Sequence, residues 1–78
     1  MSIEESLQRA KQMLAEAADR PLAEVPDNAA IGNWDGWDSL SHMRLVLALE
    51  EQLNIELSPE ELVELDSLEQ VAELVALQ

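Results

Sequence analysis

The chain has 78 residues, 47% of them hydrophobic, and its 17 acids against 4 bases give a formal charge of −13. A domain of this length buries only about 60–65% of the surface its unfolded chain exposes, enough for one modest core but not for a deep catalytic pocket. Lack of cysteine excludes disulfides, thiolate metal sites and a cysteine nucleophile, and the charge disfavours nucleic acid and anionic membranes. No apolar run reaches the length of a signal segment or membrane span. The expectation is a single domain over residues 1–78: a cytoplasmic monomer without nucleic acid partner or membrane insertion. The bases are Arg9, Lys11, Arg20 and Arg44, so residues 21–78 carry thirteen acids and one base, a surface that steers towards basic proteins.

Residues 3–17 read as an amphipathic helix. Ile3, Leu7, Ala10, Leu14 and Ala17 share one face with Met13 beside them, Ser2 and Glu5 fit a capping box, and Pro21 marks the stop. Residues 20–38 form one long connection, because Pro21, Pro26, Asn28, Gly32, Asn33 and Gly36 break every periodicity. Its apolar members Leu22, Val25, Ile31, Trp34 and Trp37 are expected to pin it to the helices, with both tryptophans as anchors. A second helix is predicted over 39–53, capped by Asp38 and ended by Asn54. Leu40, Met43, Val46, Leu47 and Leu53, widened by Leu45 and Leu49, make it apolar around much of its circumference, as expected of a bundle's central member.

Ile55 and Leu57 pin a short connector. Ser58-Pro59-Glu60-Glu61 then combines an N-cap, a proline at the first helical position and a glutamate at the third, and opens a helix of one or two turns carrying Leu62 and Leu65. Asp66 or Ser67 caps a last helix whose core face is Leu68, Val71, Ala72, Val75 and Leu74. The fold class is all-α: a four-helix bundle with three longer helices, one short helix and a long first loop.

Most catalytic chemistry is absent. One histidine, His42, and no cysteine leave no metal cluster and no Cys-His pair. Asp38, Ser39 and His42 spell the members of a hydrolytic triad, yet all three are local to one helix start. Asp27 to Gly32 has a glycine where a calcium loop needs one, but Ala29 and Ile31 stand at ligand positions. Glu50-Glu51 and Glu60-Glu61 read as solvated helix faces.

The junction Gly36-Trp37-Asp38-Ser39-Leu40 remains. Ser39 falls in the first turn of a helix, where free N–H groups and the positive helix end favour an attached phosphate. Leu40 is expected to point inward and fix the turn, leaving Ser39 facing out. Over practically its full length the chain resembles the acyl carrier protein family, including its peptidyl carrier relatives. The resemblance rests on Asp38-Ser39-Leu40, on Leu45-Val46-Leu47-Ala48-Leu49-Glu50-Glu51, on Ile55-Glu56-Leu57-Ser58-Pro59-Glu60-Glu61, and on Asp66-Ser67-Leu68 followed by Val71. A second Asp-Ser-Leu triplet, at 66–68, lies too late in the bundle to match the attachment position.

The resemblance implies a non-catalytic carrier. A separate phosphopantetheinyl transferase, using Mg²⁺, would move 4'-phosphopantetheine from coenzyme A onto the Ser39 hydroxyl. The thiol of that arm would hold an acyl or aminoacyl group as a thioester, a sulphur this cysteine-free chain must borrow. Further partners implied are an acyl- or aminoacyl-loading ligase or synthase and a downstream transferase or condensing enzyme. Asp38 and Leu40 would support the turn, and His42, Met43, Arg44, Glu50 and Glu51 would serve partner recognition, with Met43 touching the arm at its edge. Fatty acid synthesis carriers usually show more acid just after the serine, where this chain has Ser41, His42 and Arg44. That departure favours a dedicated or secondary pathway. The competing reading is an acidic helical interaction module without a prosthetic group, in which Ser39 is only part of a cap.

Overall fold

The computed structural model describes residues 3–77, so the Ser2 cap expected at the first helix lies outside the described residues. The elements are α1 (Ile3–Ala18), a 3₁₀ turn (Leu22–Glu24), α2 (Ser39–Leu53), α3 (Pro59–Glu64) and α4 (Leu68–Ala76). All four expected helices are present, with the long first loop between α1 and α2.

Local chemistry sets the helix ends. α1 stops at Ala18 because Asp19 turns left-handed (φ 56°). The Asp19 N–H then donates to the Glu16 carbonyl and the Arg20 N–H to that of Ala15, a Schellman-type closure. Asn54 ends α2 in the same conformation (φ 55°). Ser58 and Glu61 form the expected reciprocal capping box of α3, with Pro59 at its first position. Between the alternatives for α4, Ser67 is the cap, its hydroxyl accepting from the Gln70 N–H at 3.3 Å.

α1 occupies the middle of the bundle, packing against both α4 and α2. Its buried positions include Ala10, Ala15 and Ala17 beside Met13 and Leu14, and the small side chains admit a helix on either side. This corrects the expectation that α2 is the central member. α2 buries Leu45, Val46 and Leu49, while Leu40, Met43 and Leu47, expected in the core, are 60%, 52% and 59% exposed. At spacings of three and four residues, these three line one outward side of the helix.

The loop is held at fewer points than expected. Val25 and Trp37 are buried and Trp34 packs on the core, whereas Leu22 and Ile31 are exposed. Backbone pairing supplies what those side chains do not: the Ile31 N–H donates to the Asp66 carbonyl (2.9 Å) and the Leu68 N–H to that of Ala29 (3.0 Å). The pairing joins the loop to the start of α4 and seats Ala29 in the core. Lys11 adds an ion pair to Asp27 at 2.7 Å.

Two buried positions of α1 should respond oppositely to truncation. Leu14 is fully buried, and Leu14→Ala should cost about 3 kcal/mol, the usual size for a core leucine. Ser6 is equally buried, with no hydrogen-bond partner for its hydroxyl among the described residues. Ser6→Ala removes an unsatisfied polar atom and should raise stability by about 1 kcal/mol. Urea unfolding of both variants reads the two signs.

Candidate functional site

The site begins with the packing of the loop's end. Trp34 lies over Gly36 so closely that a Cβ there would meet the indole at 2.5 Å, so only glycine fits without displacing the ring. Trp37 follows, 2% exposed, and ties the chain to the core immediately before α2. From that anchor Asp38 leaves in extended conformation (φ −102°, ψ −174°), and its carboxylate accepts from the Ser41 N–H at 2.8 Å. Asp38 is therefore the N-cap, as expected, and Ser39 is the first residue of the helix proper.

This register distinguishes the two Asp-Ser-Leu triplets. At 66–68 the serine is itself the cap, its hydroxyl committed to Gln70. At 38–40 the aspartate caps, which leaves Ser39 exposed with its hydroxyl unused among the described residues. Leu40 does not pack the turn, contrary to expectation; it faces solvent beside Ser39. The inward anchors are Trp37, before the cap, and Ser41, buried at 6% exposure against Asp38.

Bonds from the Ser41 N–H, and then from its hydroxyl, hold the Asp38 carboxyl below its ordinary value. His42 is half-buried, and both of its ring nitrogens are engaged. Nδ1 accepts from the Trp37 indole N–H at 3.2 Å, and Nε2 lies 3.0 Å from the Leu62 carbonyl of α3. Asp38 and His42 are thus each engaged with other partners and neither is bonded to Ser39, which removes the triad reading on geometry. A cleft of about 410 Å³, lined by Ile31, Asp38, Ser39, His42 and Met43, opens beside the serine.

The other expected contact residues divide. Met43 and Arg44 are exposed on α2, next to Leu40 and Leu47. Glu50 is turned into the protein, its carboxylate accepting from the Leu57 N–H at 3.0 Å and securing the connector to α3, while Glu51 is exposed. Reasoning from sequence missed the Trp37–His42–Leu62 chain, because His42 and Leu62 are 20 positions apart. It also missed the exposed aliphatic stripe, although the surplus of apolar residues on α2 was its signal. Among the described residues no group of three or more His, Asp or Glu side chains is placed to hold a metal ion, and no helix is long and apolar enough to cross a membrane.

The site is thus an exposed, unengaged serine at the head of α2 in an all-α bundle. Residues 8–75 match the phosphopantetheine attachment site family, and the chain belongs to it. Domains of this family are non-catalytic carriers. No curated protein gives a significant match.

The Asp38 cap should show in the pH dependence of stability. A carboxyl lowered in the folded state contributes stability above its unfolded value, and that contribution is lost as pH falls through the folded value. Asp38→Ala should therefore lower the thermal midpoint at neutral pH, with Asn at this position retaining much of the cap. The gap between parent and Ala variant should close only below the ordinary aspartate value of 3.8. Melting curves from pH 7 to pH 2.5 measure it; a gap that closes above pH 4 contradicts the role of Asp38.

Proposed function

We propose that Ser39 is the attachment point of 4'-phosphopantetheine and that the chain carries an acyl or aminoacyl group as a thioester for partner biosynthetic enzymes. The observation that carries this reading is the capping register: Asp38 caps α2, so the Ser39 hydroxyl stands exposed and unengaged at the helix start.

The residues present fit the arm. The first N–H groups of α2 have no intrahelical acceptor, and with the positive helix end they suit a phosphodiester on Ser39. The cleft lined by Ile31 and Met43 offers an apolar wall beside the serine. When bound, the group supplies a terminal thiol on a long flexible arm, a nucleophilic sulphur that this chain lacks. The chain's own contribution is to present Ser39, keep the turn rigid and offer a docking surface. A phosphopantetheinyl transferase acting with coenzyme A and Mg²⁺ is the first partner; a loading ligase or synthase and a downstream transferase or condensing enzyme follow.

The outward side of α2 supports a docking role. Leu40, Met43 and Leu47 expose a continuous aliphatic stripe next to Ser39, and Arg44 beside them is the one base of residues 21–78. A partner suited to this patch presents apolar side chains and a carboxylate opposite Arg44, in contrast to the basic surface that the chain's overall charge would attract. That local inversion favours enzymes of a dedicated or secondary pathway.

Intact mass after incubation with coenzyme A, Mg²⁺ and a broad-specificity transferase tests the attachment. The parent and Ser67→Ala should each gain one phosphopantetheine, although Ser67→Ala gives up about 1 kcal/mol with its cap. Ser39→Ala should gain none. A folded parent that stays unmodified with several transferases returns the acidic interaction module as the better account. Leu47→Asp should raise the KM of modification severalfold while leaving the thermal midpoint unchanged, because Leu47 is 59% exposed.

A further inference from the structure

His42 satisfies two groups that no other described residue serves. The Trp37 indole N–H is carried by a side chain 2% exposed and can only donate. The Leu62 carbonyl lies in the last turn of α3, where the helix has no further N–H to offer it, and can only accept. A histidine ring meets both demands in one form: Nδ1 bare to accept from Trp37 at 3.2 Å, Nε2 protonated to donate to Leu62 at 3.0 Å. The imidazolium, with a proton on each nitrogen, sets an N–H against the indole N–H and cannot complete this chain of bonds.

The three groups joined this way belong to the loop, the first turn of α2 and α3. No other hydrogen bond among the described residues connects α3 to another helix; its remaining bonds are to its own cap and connector. Trp37 stands two residues before Ser39, and His42 lines the cleft that Ser39 opens into. The same ring therefore fixes the setting of the serine turn and the position of α3.

We propose that His42 is a positioning residue, a latch that holds the Ser39 turn and α3 in one arrangement while its ring is neutral and releases α3 when protonated. Its effect on modification rests on the carrier reading of Ser39; the latch itself does not. The other charged groups near the ring on the joined segments are mainly carboxylates, and each is placed apart from its two bonds. Asp38 shares the cleft and is held by Ser41, Asp35 faces Arg20 at 3.8 Å, and on α3 Glu61 bonds back to Ser58, with Glu60 and Glu64 exposed.

The test combines ring ¹⁵N NMR of the unmodified parent with amide exchange in α3 and modification rates from pH 8 to 5.5, for the parent, His42→Gln and His42→Ala. A glutamine amide offers one acceptor and one donor without titrating. The parent should hold the Nε2-protonated tautomer at pH 8, and on acidification should lose α3 protection and shift its Trp37 indole resonance. His42→Gln should keep α3 protected across the range, and His42→Ala should lack that protection throughout while remaining helical. The ratio of parent to Gln modification rates, in which the transferase's own pH profile cancels, should change in step with α3 protection. An Nδ1-protonated tautomer, or α3 protection with the same pH profile in all three proteins, overturns the latch. If α3 responds as described but Ser39 is never modified, the latch is upheld and the carrier reading fails.

Discussion

A buried indole must find an acceptor for its N–H, and in this protein the way Trp37 meets that demand governs much of the site. Its ring is sealed into the core at the end of a long and otherwise lightly held loop. The acceptor is His42, one turn into α2, so the loop's end and the helix start are clamped around Asp38 and Ser39. With both sides of the turn fixed, the Asp38 carboxylate is held at the N-terminus of α2 and takes the capping role. Ser39 is then left with nothing to do within the fold. An unsatisfied indole would cost on the order of 1–3 kcal/mol, a large share of the stability of so small a domain.

The same economy of size suits a carrier domain, which needs no active site of its own. α2 and α4 pack against α1, whose alanines let neighbours approach on two sides, and this occupies most of the core. Leu40, Met43 and Leu47 of α2 stay outside, next to Ser39, where they form an exposed apolar surface. Charge is organised around that surface. From position 45 to the end there are nine acids and no base, whereas Arg44 stands within the stripe. A strongly acidic body supplies long-range attraction to positive partners, and the local patch beside the serine sets different terms for close contact.

Much of this was legible in the chain because its signals are local. Asp38, Ser58 and Ser67 cap groups three residues away, and Asn54 ends a helix by its own backbone conformation, so four helices and their limits follow from short spacings. The outward setting of Ser39 was expected as well, but through an inward Leu40, whereas it is the Asp38 cap that leaves the serine unengaged. Leu40 and the middle position of α2 were misread. An apolar residue on a helix says that the position favours removal from water, but it does not say whether the cover is another helix of the same chain or a different protein.

The sequence by itself determined that the chain forms four helices, three longer and one short, around a largely aliphatic core, with a serine at the head of the second. Only the tertiary structure decided that α1 is the middle helix, that Leu40, Met43 and Leu47 face out, that Glu50 holds the connector, and that His42 joins Trp37 to α3. The physical reason is range. Caps and turns are settled by atoms a few residues apart, whereas burial and side-chain hydrogen bonding depend on what the rest of the chain brings alongside.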